Sequence, residues 1–455
     1  MARSLWERLQ RLEASVRRAG GSGAPDHPAH PAGTAAGPAG GAGTTHVPDA
    51  AAAALADAAH GKDAKPGAPD AAAVLRALGF VREQGAAGWY WVRRLRCDRL
   101  TAHGCVRLGE VDHPGLVKVV QAAARVGAWS GRPEDVFFYD TESTGLGTGA
   151  GTFPFLHGVG YLAEDEWVME QWLVADYAEE PAVLQAVRER LCAPGAVVMT
   201  FNGKAFDWPL LQSRLRLYRM DFAGEPLQAD LMHPCRRLWR KQLEKVSLGR
   251  LETHVLGLTR QGDLPGREAP ARYFAFLTAP RAEDLEPVLA HNAADLCALA
   301  GLAAVLARLY TGEQPPDGAH GYAALGAWHA EWREHEVADR CYRAAVHAPD
   351  ADWRVRWLAS LYFKRQGQWS AACAVWAEMA DRHPWTVAPL VELAKFAEHH
   401  ARDLAAARRW TALALERAAA RHDRSAVDEL RHRLARIERK LAAAPDMLHS
   451  VPSVR

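Results

Sequence analysis

The chain carries almost no net charge, because its 55 lysine and arginine residues balance 54 aspartate and glutamate residues. It therefore lacks the overall positive field that draws many proteins to nucleic acid. Its seven cysteines are scattered, odd in number and never spaced as Cys-x-x-Cys. This usage argues against a disulfide framework and against a zinc site.

Membrane and export signals are also lacking. We expect no apolar run to span a bilayer, and residues 1–19 predict a short amphipathic basic helix without the apolar core of a signal peptide. Residues 20–72 are rich in alanine, glycine and proline and contain no aromatic residue, so they predict a disordered tether. These features favour a cytoplasmic protein.

What the chain does have is a set of four acidic residues in three separated motifs. Asp140 and Glu142 end an apolar, strand-like run in VFFYDTESTGLG. Asp207 follows a second such run and an Asn-Gly turn in VVMTFNGKAFDWPLL, which places it at the start of a helix. Asp295 lies in the helical stretch LAHNAADLCALAGL. Any one of them has a common structural explanation, because aspartate favours turns and helix N-caps.

Taken together, the four carboxylates predict a metal site. Carboxylates brought to one place repel one another and resist burial unless cations hold them. Mg²⁺ or Mn²⁺ suits oxygen ligands of this kind. We therefore predict a site for two such ions, arranged for phosphoryl displacement.

The order of elements predicts that the motifs meet at one edge of an α/β layer with a mixed sheet. Apolar and periodic runs predict strands at 136–139, 155–162, 167–174, 196–201 and 227–232 and helices at 181–192 and 206–218. Three strands in a row, followed by strands that alternate with helices, are typical of such a layer. The carboxyl ends of its parallel strands share one edge, where ligands bind.

The glycines after the first motif offer an alternative interpretation. Gly145, Gly147, Gly149 and Gly151 approximate the start of a dinucleotide-binding turn. Two carboxylates stand where a pyrophosphate would need positive potential, and the chain continues into a strand where that site requires a helix. We therefore interpret the glycines as a tight turn or a close approach to substrate.

The segments DTESTG, NGKAFDWPLL and HNAADLCAL resemble the DEDD superfamily of 3′–5′ exonucleases, which have a ribonuclease H-like fold, and they look most like its YprB-type branch. The resemblance covers residues 73–312. It implies that Asp140, Glu142, Asp207 and Asp295 bind the metal ions and take part in catalysis.

His291 departs from the pattern of that superfamily, which usually has a tyrosine four residues before the last aspartate or a histidine five residues before it. Here a histidine occupies the four-residue position. Residues i and i+4 share a helix face, so His291 should lie near Asp295. We predict that it accepts a proton from the attacking water. The alternative is a surface histidine at a helix start.

Local positive charge predicts contacts with nucleic acid although the whole chain is neutral. Basic residues crowd the stretch from Arg236 to Arg250 around Trp239. This interleaving fits a channel that follows a strand backbone and stacks bases, and the alternative is a solvated helix face. The predicted contact residues are Thr141, Thr144, Gly145, Asn202, Lys204, Arg236, Arg237, Trp239, Arg240 and Asn292.

The C-terminal third shows an internal repeat. Three alanines and three aromatic residues each recur every 34 residues: Ala338, Ala372 and Ala406, and Tyr342, Trp376 and Trp410. A small residue and an aromatic in the second helix of each pair resemble tetratricopeptide repeats. Such repeats present a concave surface to proteins, so we predict a protein partner. The alternative is an ordinary helical bundle.

These observations predict a ribonuclease H-like α/β domain at residues 131–312, with an extension at 73–130 and an all-α, tetratricopeptide-like region at 320–445. The predicted function is that of a metal-dependent nuclease, a 3′–5′ exonuclease acting on DNA or RNA. The alternative is a non-catalytic nucleic-acid-binding or adaptor protein that retains the fold. We expect Asp230, at the end of a predicted strand, to be structural.

Overall fold

The structure, a computed structural model, describes residues 70–145, 151–221 and 224–443. The predicted helix of residues 1–19, nearly all of the predicted tether of residues 20–72, and Gly147 and Gly149 lie outside the described residues. The end of that predicted tether is helical. Asp70 caps a helix that begins at Ala71, because its carboxylate accepts a hydrogen bond from the N–H of Ala72 at 3.1 Å.

The described residues contain nine β-strands and fifteen α-helices. The strands are β1 Phe80–Gly85, β2 Gly88–Asp98, β3 Ala102–His103, β4 Val106–Arg107, β5 Val136–Ser143, β6 Pro154–Ala163, β7 Glu166–Leu173, β8 Val197–Thr200 and β9 Leu227–Asp230. The helices are α1 Ala71–Ala77, α2 Leu116–Ala124, α3 Glu180–Leu191, α4 Asp207–Leu217, α5 Met232–Trp239, α6 Leu248–Leu251, α7 Ala269–Thr278, α8 Ala282–Thr311, α9 Gly318–Glu331, α10 His335–His347, α11 Trp353–Arg365, α12 Trp369–Arg382, α13 Ala388–His399, α14 Leu404–Ala420 and α15 Arg424–Ala443.

Seven of the strands form one mixed sheet in the order β1-β2-β7-β6-β5-β8-β9. Neighbours from β1 to β5 are antiparallel, whereas β5 pairs with β8 and β8 with β9 in parallel. The predicted fold class is therefore confirmed. The predicted strands and helices between residues 136 and 232 are all present, with ends that differ by a few residues.

The apolar run of β5 explains why this strand lies in the middle of the sheet. Val136 and Phe138 belong to the core on one face, and Phe137 and Tyr139 belong to the core on the other. Burying each such side chain contributes about 1.5–3 kcal/mol. A one-residue slip would exchange the two faces, so the register of β5 is firmly set.

Helices cover both faces of the sheet. The first core contains residues of α2, α5 and the second half of α8, and the second core contains residues of α1, α3, α4 and α7.

In the described part of the chain, α8 is the one helix that length and composition alone would allow to cross a membrane. Our expectation of no such run was wrong. Because 72% of its most apolar stretch is buried inside the protein, α8 has the position of a core helix.

The segment before the first motif extends this sheet. β2 pairs with β7 from Trp91 opposite Leu173 to Asp98 opposite Glu166, and β1 pairs with β2. α2 packs on the sheet through Val119 and Val120, which are both fully buried.

The described residues form two compact units, one that ends at Val355 and one that begins at Arg356. The sequence predicts that the nuclease domain ends at residue 312, whereas the first unit continues through α9 and α10. The reason is packing: Leu325 and Trp328 of α9 share a core with Tyr310 of α8, and the Trp328 and Tyr310 rings are 5.2 Å apart.

The region after residue 317 is all-helical, as predicted. Ala338 and Ala372 are fully buried, and Tyr342 and Trp376 are buried as well. The third copy differs, because Ala407 is fully buried whereas Ala406 and Trp410 are only half-buried. The fully buried alanine of this copy is thus 35 positions after Ala372, although Ala406 and Trp410 keep the 34-residue spacing. The tetratricopeptide class stays a prediction.

Candidate active site

The first two acidic residues lie near the carboxyl end of β5. Asp140 and Glu142 are two positions apart, so their side chains point to the same face of the sheet. Asp207 is the first residue of α4, which follows β8, the parallel neighbour of β5. The hydroxyl of Thr141 on β5 donates to Asp207 Oδ1 at 2.5 Å and joins the two segments directly.

Asp230 fixes the turn that carries Asp207. Asn202 has φ 67°, in the left-handed region that asparagine tolerates. Its N–H donates to Asp230 Oδ1 at 2.8 Å, and the N–H of Met232 donates to the same oxygen at 3.0 Å. Asp230 is buried. Its contacts agree with the predicted structural role.

A chain of two buried amides orients Asp140. Asn292 of α8 is fully buried, and its Nδ2 donates to Asp140 Oδ2 at 2.9 Å. Gln171 of β7 donates from Nε2 to Asn292 Oδ1 at 3.0 Å and to the carbonyl of Leu289 at 2.8 Å. The central sheet and α8 therefore set the direction of this carboxylate together.

Gly158 makes room for this arrangement, and its replacement is our first stability prediction. A Cβ at position 158 would lie 2.2 Å from Asn292 Oδ1. We expect Gly158→Ala to lower the free energy of unfolding by ~1–3 kcal/mol, the usual cost of overpacking. The matched control is Gly249→Ala, where a Cβ meets nothing within 4 Å. Equal chemical-denaturation curves for the two variants would contradict the prediction.

The structure brings the four predicted acidic residues into one electrostatic cluster. Burial, followed by the charges of Asp295, Asp207 and Glu142, raises the pKa of Asp140 well above its ordinary value. Burial and the charges of Asp295 and Asp207 raise the pKa of Glu142 to about 8, against the opposing effect of His291. Burial raises the pKa of Asp207 to about 6, although the hydrogen bond from Thr141 opposes the rise. The cluster therefore holds protons when it has no cation.

Asp295 differs from the other three because it has a cationic partner. Arg260 Nη2 donates to Asp295 Oδ1 at 2.6 Å, and Arg260 Nε donates to the buried Glu252 at 2.7 Å. Among the described residues, no lysine or arginine forms an ion pair with Asp140, Glu142 or Asp207. These three carboxylates thus lie together in a partly buried site without a lysine or arginine partner.

This donor set fits a hard divalent cation, which prefers carboxylate oxygens. Within residues 70–145, 151–221 and 224–443, no three His, Cys, Asp or Glu side chains surround one point as ready-made metal ligands. The reason is visible in the contacts, since Thr141, Asn292 and Arg260 each engage one carboxylate oxygen. A cation would have to compete with these donors for the oxygens.

The raised pKa values predict how stability depends on pH without metal. The folded-state pKa of Glu142 is about 8 against an ordinary 4.5, so the protonated form favours the folded state. This stability is present at low pH and is lost as pH rises through the folded-state pKa. In EDTA, we expect the free energy of unfolding to fall between pH ~5 and ~8, by up to about 1.4 kcal/mol per pH unit for each retained proton.

The control for this pH prediction is Glu142→Gln, which removes one titrating group. Its denaturation midpoint should depend less steeply on pH above pH ~6, and saturating Mg²⁺ should flatten the dependence of the unaltered protein. A wild-type slope no steeper than that of Glu142→Gln would show that Glu142 titrates normally.

His291 lies where the helix spacing predicted, one turn before Asp295. Its Nε2 is 3.6 Å from Asp295 Oδ2, and its Nδ1 is 2.7 Å from Asp263 Oδ1. Burial alone would lower the pKa of His291, but the charges of Asp295 and Glu142 and the hydrogen bond to Asp263 outweigh it and raise the pKa above its ordinary value. The ring therefore sits between two carboxylates, and its catalytic role stays a prediction.

Several predicted nucleic-acid contacts need correction. Trp239 is buried in the core and cannot stack on a base, and Asn292 is fully buried against Asp140. The Thr141 hydroxyl is bound to Asp207, and the Thr144 hydroxyl accepts a hydrogen bond from the N–H of Phe153 at 3.2 Å. Of the ten predicted contact residues, all except Trp239 and Asn292 keep accessible surface, although the hydroxyls of Thr141 and Thr144 already have hydrogen-bond partners.

The sequence argument missed the polar network around Arg260. Arg260 and Asp263 follow a π-helical turn at Glu252–Leu256, and His103 Nε2 approaches Glu252 Oε1 at 3.1 Å. These residues lie in polar loop or short helical segments without periodicity. The one available signal is that the stretch GDLPGREAP, which contains Asp263, is also similar to the YprB-type branch.

Comparison with known proteins agrees with this geometry. Residues 137–307 match a family model described as RNase_H superfamily, so this part of the chain is a domain of that superfamily. The chain is also similar to the uncharacterized protein YprB of Bacillus subtilis (strain 168), with 32% identity over 315 residues, which cover 68% of this chain and 76% of that protein. The chain therefore belongs to the YprB family. Membership of the superfamily suggests a metal-dependent nuclease.

Proposed function

We propose that this protein is a metal-dependent 3′–5′ exonuclease that hydrolyses phosphodiester bonds of DNA or RNA. The observation that carries the proposal is the cluster of Asp140, Glu142 and Asp207, three carboxylates without a lysine or arginine partner near the carboxyl ends of parallel strands. These residues, together with Asp295, would hold the ions. When bound, Mg²⁺ or Mn²⁺ supplies an activated water and neutralises charge on the phosphate.

The chain's own residues would prepare the site. Asn292 and Thr141 orient Asp140 and Asp207 through the hydrogen bonds described above. His291 donates a hydrogen bond from Nδ1 to Asp263, so Nε2 of the neutral ring, on the side of Asp295, is placed to accept a proton from water. We further propose that the C-terminal helices bind a protein partner, as the resemblance to tetratricopeptide repeats suggests.

The test uses purified full-length protein and 5′-labelled single-stranded DNA and RNA oligonucleotides, with Mg²⁺, Mn²⁺ or EDTA. We expect products that shorten from the 3′ end with either metal and none in EDTA. A 3′-phosphorothioate end should block the reaction, and a circular strand should stay intact. Binding without metal-dependent cleavage would support the non-catalytic adaptor instead, and cleavage of circles would indicate an endonuclease.

A further inference from the structure

A second feature lies at the same edge of the sheet as the carboxylates. β9 runs parallel to β8 and β5, and α5 begins directly after β9. Beside the start of α5 is a cleft of about 490 Å³, between the end of α2 and the helix α9. Its walls include Gln121, Arg125, His233, Arg237, Trp328 and Trp332.

Cationic and hydrogen-bonding groups face this cleft. Arg125 Nη2 lies 3.3 Å from His233 Nδ1, and the Arg237 guanidinium lies 4.3 Å from the centre of the Trp328 ring. One acidic residue, Glu331, is also on the wall and accepts from Arg237 at 3.0 Å. Arg125 is exposed and has no carboxylate partner among the described residues. Its positive charge is therefore available to an anion.

Lys204 connects the cleft to the carboxylate cluster. It follows β8 in the same turn that leads to Asp207. Burial lowers the pKa of Lys204, the charge of Asp230 opposes this effect, and the charge of Arg125 adds to it. Burial, followed by the charges of Arg125 and Lys204, lowers the pKa of His233. When His233 is neutral and its Nδ1 accepts a hydrogen bond from Arg125, its proton is on Nε2. Nε2 can then donate a hydrogen bond to a phosphate oxygen.

We infer that this cleft binds the phosphate backbone of the substrate strand, away from the end that is cleaved. The inference rests on the proposed function and adds a second binding site to it. A strand backbone fits better than an acidic peptide, because Lys204 lies in the turn that leads to Asp207, and Arg125 and Arg237 line the cleft, so positive charge extends from the site of cleavage into the cleft. Several positive charges that begin beside a nuclease site match successive phosphates of the strand that is cleaved.

The test is Arg125→Glu in the full-length protein, with Arg132→Glu as its matched control. Arg132 lies before β5, at the opposite edge of the sheet, and its side chain is 74% exposed. Hydrolysis of a p-nitrophenyl ester of thymidine monophosphate reports the carboxylate site alone. For Arg125→Glu we expect unchanged hydrolysis of this ester and a KM for long oligonucleotides raised ~10-fold or more. The effect should shrink as the oligonucleotide is shortened, and the slope of log affinity against log salt should be less steep by ~0.7 per lost phosphate contact.

Arg125→Lys should restore most of the affinity, because it restores the charge. Equal KM values and salt slopes for Arg125→Glu and Arg132→Glu would overturn the inference, as would a variant that loses affinity for polyglutamate but not for oligonucleotide. Failure of the wild-type protein to cleave the ester or any strand would instead count against the proposed function. Anisotropy with labelled oligonucleotide would then still decide whether Arg125 binds the strand.

Discussion

Replacement of Asp207 by Asn is expected to abolish metal-dependent hydrolysis, with a loss of ~10³-fold or more, equivalent to about 4 kcal/mol of activation free energy. The Asp207 carboxylate is buried at the start of α4 and belongs to a cluster of four carboxylates. Its replacement by an amide removes one of the negative charges that would hold the ions. Asn keeps the shape and can still accept the hydrogen bond from Thr141. The measurement is the initial rate of oligonucleotide cleavage as a function of Mg²⁺ concentration.

The same variant should be at least as stable as the wild-type protein in EDTA. Removing one carboxylate from a cluster of four relieves repulsion, and the melting temperature without metal should stay equal or rise. With saturating Mg²⁺ the order should reverse, because the wild-type protein binds metal and gains stability from it. We expect Asp140→Asn to show the same loss of activity and the same changes in melting temperature.

Asp230→Asn is the matched control for this prediction. It makes the same chemical change at the end of the next strand, and its Oδ1 can still accept from Asn202 and Met232. It should fold and keep its activity within about tenfold of wild type. Full metal-dependent activity in Asp207→Asn, or equal losses in both variants, would remove Asp207 from the site.

The central sheet and the cluster of carboxylates could be predicted because their signals are local. The short apolar run of β5 predicts a strand that is buried on both faces, and the Asn-Gly turn predicts where α4 begins. Helix periodicity fixes the relation of His291 to Asp295. Each of these signals involves only a few neighbouring residues, so it can be recognised without knowledge of tertiary contacts.

The predictions were wrong or incomplete where tertiary packing decides which face of a helix is buried or which residues form an ion pair. On α5, Arg236 and Arg237 are exposed, whereas Cys235, Leu238 and Trp239 face the core. These buried residues form an apolar stripe at helical spacing. The prediction for Trp239 was wrong because it used the basic composition of this stretch and not the stripe. The partnership of Arg260 with Asp295 spans 35 residues and a loop, so no local pattern reports it.

Replacement of His291 by Ala is expected to lower kcat by ~10²-fold or more, the usual contribution of a general base. The imidazole lies between Asp263 and Asp295, and both carboxylates favour its protonated form. Proton acceptance requires the neutral ring, so the wild-type rate should fall as pH decreases through the raised pKa of His291. In His291→Ala this acid limb should disappear, while Mn²⁺ affinity measured by calorimetry should persist.

Asp263→Asn tests the same assignment without touching the imidazole. Losing the carboxylate at Nδ1 removes one cause of the raised pKa, so the acid limb of the kcat profile should move to lower pH. A role for His291 that is only structural predicts no such movement, because the ring, its burial and its distance from Asp295 would be kept. An acid limb that stays in place in Asp263→Asn, or survives in His291→Ala, would assign the titration to another group. The carboxylate cluster, whose own pKa values are raised, would then be the source of the pH dependence.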